Sequence, residues 1–406
     1  MSNTIIQVGS ETLELRIPNG ALVTGKRGGL PSVVQDVHTL AAERLETPLE
    51  FPSLRRALTP DDHLCIVLHE DTNGIAPIMQ AVLEHVQRAG VLMEQVTVMV
   101  QPRRVGVEPA WPKLMPASVA GFQIVEHSRD EKAMAYLAST KAGRRIYLNR
   151  LIVDADQLII VGNVRFDAIF GITSGMAEVF PAFSDAPTYE ELTRLKHAYS
   201  TGVERTFPIW KEADEVGWLI GLPFVVAVAE GPNGTVSDIF AGTAAEVKQQ
   251  SDSWLKEHNV VHLPYQVDLV IGTLASPVSE QHVAQVAEAA FHAFKAVHQD
   301  GVIAILSTAS GALPPGADIV SASETIVAGL TQLRLHKELD LLPWWHLAYA
   351  LEQAKVYVAS HIQPEVMESL FVVPMDKPQN VQHLIDKANH VVVIEGLDRV
   401  MLDIRK

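Results

Sequence analysis

Short apolar runs recur along this chain, and several are followed by segments whose apolar residues fall at helical spacing. LCIVL (Leu64–Leu68), QVTVMV (Gln95–Val100), QLIIV (Gln157–Val161) and FVVAVA (Phe224–Ala229) read as strands. So do LVIG (Leu269–Gly272), VIAILS (Val302–Ser307), VYVAS (Val356–Ser360) and VVVI (Val391–Ile394). A strand that is apolar at every position must be covered on both faces, which is the condition inside a parallel sheet flanked by helices. PIMQAVLEHVQR (Pro77–Arg88), closed by Ala89-Gly90, and the alanine-rich span Val278–Val297 supply the helices. The alternation predicts two α/β domains with mostly parallel sheets and an interdomain cleft. Gly221–Gly242 is the exception, because two strand-like runs flank Gly231-Pro232-Asn233-Gly234 as in a hairpin.

A chain of 406 residues exceeds one ordinary core, so at least two domains are expected. The polar stretch QQSDSW (Gln249–Trp254) marks the neighbourhood of the boundary. We place the domains at 1–258 and 259–406, with the last strand a candidate for return to the first domain. The charge balance of −16 disfavours phosphate backbones and anionic bilayers as partners, and the partner expected is a small-molecule ligand. No charged-then-apolar leader opens the chain, and no apolar run reaches the ~18–20 residues of a membrane span. The single cysteine, Cys65, lies within an apolar run and reads as a buried small hydrophobe. Disulfide frameworks and cysteine-rich zinc sites are thereby excluded, and a cytoplasmic protein is the default.

Ligands of open α/β sheets bind beyond the carboxyl ends of the strands, so the residues that follow each run are the candidates. After Leu68 comes His69-Glu70-Asp71-Thr72-Asn73-Gly74, a dense set of proton-handling groups. These suit general acid–base work or hard-metal ligation; equally, they suit a solvated turn or the cap of the following helix. After Val100 come Arg103 and Arg104, which fit either a clamp on a carboxylate or phosphate or an exposed face. After Val161 comes VRFDAIFGITSGMAEVFP (Val164–Pro181), whose glycines and Thr173-Ser174 pair suggest a loop shaped to approach a ligand. Its ionisable groups are Arg165, Asp167 and Glu178. The 16 histidines include no H-E-x-x-H or H-x-H spacing, so no histidine-rich zinc site is signalled.

Taken together, HEDTNG, VTVMVQPRRVG, VDADQLI, GNVRFDAIFGITSGMAEVFP, GLPFVV with FAG, and EQAKVYVAS resemble, in order, segments of the nickel-pincer lactate racemase family. The resemblance covers most of the chain and implies the fold of 2-hydroxy-acid racemases and epimerases. It places Asp167 where the family has a catalytic histidine, and Arg104 or Val105 near the other. Met176-Ala177 stands where the family has an Arg-Lys pair whose lysine anchors the pincer nucleotide. Glu70-Asp71-Thr72-Asn73-Gly74 stands at its D-x-T-R-P turn, so Asn73 replaces a substrate-holding arginine. A glutamine and a lysine of the second domain fall near Ala284 and Ala287. His197 corresponds to a nickel-binding histidine, at longer spacing from Pro181, and Trp344 lies close to a tryptophan placed near the substrate.

Alanine has no nucleophile, so covalent anchoring of the nucleotide is not expected at Ala177, and the cofactor, if any, is unknown. Two expectations follow. One is an enzyme of altered acid–base chemistry acting on a small hydroxy acid or related polar metabolite. There Asp167 is the base, Glu70 or Asp71 its partner, His197 a metal ligand, and Thr72, Asn73, Arg103, Arg104, Thr173, Ser174 and Trp344 contact the substrate. The other is a non-catalytic homologue that binds a metabolite or a protein partner in the cleft.

Overall fold

The computed structural model describes residues 2–25, 31–102, 110–167, 171–193, 208–275, 281–311, 313–336 and 341–404. The chain divides into two compact units, one formed by Leu30–Lys256 and the other by Met1–Gly29 together with Glu257–Lys406. We call them the inner and outer units from their places in the sequence.

The chain opens on an antiparallel hairpin, β1 (Ser2–Val8) with β2 (Glu11–Ile17), in the outer unit. In the inner unit follow β3 (Leu64–Leu68), β4 (Val96–Val100) and β5 (Gln123–Glu126), then a ribbon of β6 (Met134–Ser139) and β7 (Arg145–Asn149). Next come β8 (Gln157–Asp167), β9 (Gly171–Thr173), β10 (Phe224–Glu230) and β11 (Val236–Thr243). The inner sheet runs β11-β10-β8-β3-β4-β5, with β9 folded back on β8. Strands β10, β8, β3, β4 and β5 are parallel, while β11 is antiparallel to β10, as the hairpin pattern requires.

The outer unit continues with β12 (Val260–Leu263), β13 (Val267–Thr273), β14 (Val297–Leu306), β15 (Ala354–Ala359), β16 (Val373–Met375), β17 (Val391–Ile394) and β18 (Met401–Ile404). Its main sheet is wholly parallel in the order β16-β15-β14-β13-β17. Two features of the units bear on the domain bounds. Residues 1–29 do not belong with the first domain, because Ile6, Val8, Leu13, Leu15 and Ile17 bury themselves with Leu269, Ile271, Ala304, Leu306 and Val391. The last strand does not return to the inner unit, since β18 pairs in parallel with β12.

Every residue of β3 is buried, which is why the run LCIVL carries no polar position. The helix that follows spans Ile75–Arg88, and it presents Ile78, Met79, Ala81, Val82, Leu83 and Val86 to the inner core. Pro77 falls in its first turn, where the missing N–H would have no helical partner anyway. At Gly242 an added Cβ would stand 2.2 Å from the carbonyl oxygen of Leu49. That backbone docks on β11 through Leu49 N to Ala241 O at 2.8 Å and Thr243 N to Leu49 O at 3.1 Å, so glycine is required.

Cys65, on β3, is 1% exposed, and burial pushes its thiol up to about 12. The thiolate is the reactive form, so a thiol reagent should label Cys65 only when β3 opens. Labelling at the rate of a free thiol in native buffer would show that β3 is not a core strand. Among the described residues, no helix is long and apolar enough to cross a membrane.

Candidate functional site at a strand crossover

The inner sheet reverses its strand order between β3 and β8, since β4 and β5 extend to one side of β3 and β8 and β10 to the other. A crevice forms outside the carboxyl ends of the strands at such a reversal, and ligands of open α/β sheets bind there. The residues leaving β3 and the distal half of β8 therefore define the site.

β8 is longer than its apolar run predicts. It continues through Asn163, Val164, Arg165, Phe166 and Asp167, and Asp167 pairs with Gly171 as β9 turns back. Val164–Asp167, expected as loop, is thus strand, and Gly171–Thr173 pairs back on it. Alternation along the strand buries Val164 and Phe166 on one face and leaves Asn163 and Arg165 on the other. Asn163 clamps the turn after β3: its amide donates to Asp71 O at 2.9 Å, and its Oδ1 accepts from Asn73 N at 3.1 Å. Arg165 Nη1 reaches Asp71 Oδ2 at 2.6 Å.

His69 leaves β3 with its backbone N–H donating to Val161 O at 3.0 Å. Its Nε2 lies 2.9 Å from Glu178 Oε2 and 3.0 Å from Glu178 O. Glu178 closes a single 3₁₀ turn, Gly175–Glu178, and is 3% exposed. Gly162 makes room for it, because a Cβ there would stand 3.3 Å from the Glu178 carboxyl carbon. Burial works to lower the His69 pKa, but the Glu178 carboxylate and then Asp71 outweigh it and carry the imidazole above its ordinary value. Burial likewise works to raise Glu178, and His69 and Arg165 more than cancel it, so its carboxyl titrates below the usual range.

These shifts fix a pH dependence. The contribution of His69 is complete below its ordinary value of 6.5 and is lost as pH rises through its raised folded value. The contribution of Glu178 is complete above its ordinary value of 4.5 and is lost as pH falls through its lowered folded value. Urea midpoints should therefore show the pair's full stabilisation between these two pH values and decline on either side. A profile that Glu178→Gln leaves unchanged would remove the pair from the account.

Other expected residues are placed as follows. Glu70 Oε1 accepts the Trp111 indole N–H at 2.9 Å, and Asp71 holds Arg165. Thr72 is 4% exposed and its hydroxyl donates to His69 O, which makes it part of the turn. Asn73 is engaged through its backbone N–H, and its amide lies 3.5 Å from Thr235 O. Ser174 is buried, and its hydroxyl finds no hydrogen-bond partner among the described residues. Trp344 is 1% exposed in the outer core, and its indole donates to Pro315 O at 2.9 Å. Arg103, Arg104 and His197 lie outside the described residues, as do the side chains of Asp167 and Thr173.

Glu178 and Arg165 were visible in the sequence only as ionisable groups within one stretch, and His69 only as one member of a polar turn. A further neighbour gave no signal at all. His127, just past β5, packs 5.2 Å from the Phe183 ring, which stands edge-on to His69 at 6.4 Å. Burial and then Arg129 push His127 down to about 4, so it stays neutral near pH 7.

A family model described as the lactate racemase N-terminal domain matches residues 8–198. Over those residues the chain is similar to the lactate racemase N-terminal domain. The lactate racemase apoprotein of Thermoanaerobacterium thermosaccharolyticum has a similar fold, with a TM-score of 0.79 over 100% of both chains at 17% identity. A Thermotoga maritima protein of solved structure matches 94% of this chain and 100% of its own, with a TM-score of 0.67 at 11% identity. At these identities the likeness is one of fold. No protein of curated function matches the chain in sequence.

Similarity to the lactate racemase N-terminal domain raises the question of a covalently anchored nucleotide. At the turn Gly175–Glu178, Ala177 offers a methyl group, and Met176 is buried against Gly217, where a Cβ would meet its Cγ at 2.6 Å. Glu178 is committed to His69. No amine is available in this turn, so these residues do not fit such an anchor. Among the described residues, no group of three or more His, Cys, Asp or Glu is arranged to hold a metal ion.

Proposed function

We propose that this chain is a cytoplasmic protein that acts on or binds a small hydroxy acid, or a related polar metabolite, at the crevice between β3 and β8. Its acid–base chemistry is carried by its own side chains and departs from the nickel-pincer mechanism, and its partner is a small molecule, not a nucleic acid or a membrane. The observation that carries this reading is the Arg165 guanidinium on the central strand, 2.6 Å from an Asp71 carboxylate that is itself 54% exposed. A guanidinium is the natural partner of a carboxylate, and an exposed carboxylate is one that a ligand can displace. In this reading Asp167, two residues further along β8, is a proton carrier, and Arg103 and Arg104 add positive charge for an anionic ligand. His197 is the residue offered to a metal.

A non-catalytic binder is the second reading, favoured because Glu70 and Asp71 are both committed to neighbours and Met176-Ala177 is neutral. Calorimetric titration with a panel of 2-hydroxy acids and sugar acids tests both readings, together with proton NMR of Cα–H exchange in D₂O. Binding should weaken roughly 10- to 100-fold in Arg165→Met, the loss of one charge-assisted pair. Exchange that disappears in Asp167→Asn supports the enzyme, and binding without exchange in the natural protein supports the binder. No binding by any member of the panel overturns both.

A further inference from the structure

We infer that His69 and Glu178 form an acid–base dyad at this crevice, in which His69 Nδ1 is the proton-carrying atom and Glu178 the positioning residue. The inference rests on the reading of the crevice given above, and it adds a second proton carrier to it.

The geometry assigns the nitrogens. Nε2 faces two acceptors on one residue, Glu178 Oε2 at 2.9 Å and Glu178 O at 3.0 Å, and only a proton on Nε2 satisfies either. Nε2 therefore keeps its hydrogen in both charge states, and gain or loss of a proton falls to Nδ1. A neutral imidazole so held is a base at Nδ1, and an imidazolium so held is an acid there. A buried carboxylate behind the ring fixes the tautomer and stabilises the imidazolium, the division of labour seen in carboxylate–histidine pairs of hydrolases.

The placement is as specific as the tautomer. His69 is the first residue beyond β3, on the crevice side of the strand-order reversal, and its side chain is 12% exposed while that of Glu178 is 3% exposed. The charged groups that act on it are Glu178 from the 3₁₀ turn, Asp71 from its own segment and Arg165 from β8. Across the Phe183 ring stands His127. The proton step balances simply. Nδ1 takes a proton from the ligand carbon or hydroxyl and becomes imidazolium against Glu178, leaving the ligand one charge more negative beside Arg165. Return of the proton restores neutral imidazole.

The test uses the full chain. Long-range proton–nitrogen NMR, assigned with His69→Gln, should show Nε2 protonated throughout and Nδ1 titrating above the ordinary histidine value of 6.5. In Glu178→Gln the amide oxygen still accepts from Nε2, so the tautomer should persist while the titration moves down, and Glu178→Asp should restore part of the shift. Diethyl pyrocarbonate, read by peptide mass, should modify His69 with a rate that rises through the same titration. In Glu178→Gln the onset should come at lower pH.

Protonation of Nδ1 with Nε2 bare overturns the proposal. So does a native His69 that the reagent never modifies, or a pH profile that Glu178→Gln leaves in place. If no hydroxy acid binds while His69 titrates and reacts as stated, the substrate reading fails and the dyad stands.

Discussion

Replacing His69 with leucine is expected to destabilise the inner unit by about 3–5 kcal/mol, the cost of leaving one half of a buried ion pair without its partner. Glu178 then sits 3% exposed with its Oε1 already unmatched and its Oε2 newly so. Its carboxyl must either stay charged in a poor solvent or take up a proton, and both routes cost free energy relative to the pair. Cys65 gives the readout, because it lies on β3 four positions before His69 and is accessible only on opening. Native-state thiol labelling should accelerate by roughly two to four orders of magnitude, that energy expressed as an opening equilibrium, at a pH between 4.5 and 6.5. The double variant His69→Leu with Glu178→Leu should recover most of the loss, since two apolar groups of similar volume leave no orphaned charge. A single variant as stable as the natural chain would mean that the pair is solvated and does not bear on the fold.

The second large effect lies in the outer unit. Trp344→Ala should cost about 3–5 kcal/mol, because a fully buried indole leaves a cavity that its neighbours fill only in part. The Pro315 carbonyl also loses its donor. Hydrogen exchange of the β14 and β15 amides would report the change in the unit that holds this side chain. Affinity for any ligand of the β3–β8 crevice should be unaffected in Trp344→Phe. A variant that unfolds normally yet loses its ligand would return Trp344 to the binding role that the family resemblance implies.

What could be read from sequence divides along physical lines. The strands buried on both faces, β3 and β17 among them, announce themselves because every position must be apolar. The distal half of β8 did not, since its alternation of Asn163, Val164, Arg165, Phe166 and Asp167 reads as a polar loop. Yet that alternation is what lets Asn163 and Arg165 meet the turn after β3. ETLELRI (Glu11–Ile17) has a period of two with Leu13, Leu15 and Ile17 inward, and its exposed face leaves no apolar run to mark it. The His69–Glu178 contact spans 109 positions, and no spacing rule links residues that far apart. Only the strand-order reversal brings them together. The family resemblance bears on Ala177 and says nothing of Glu178 beside it.

The division of the chain also sets a timetable for synthesis. Residues 30–256 are contiguous and can complete their core while the ribosome is still working. The β1–β2 hairpin has no such option, since its buried face needs Leu269, Ala304 and Val391. At about 5–20 residues per second it waits roughly twenty seconds to over a minute for Val391 to emerge. An isolated two-stranded hairpin is marginal in water, so throughout that interval Ile6, Leu13 and Leu15 are open to chaperones or to another nascent chain. The hairpin is made long before the strands that cover it.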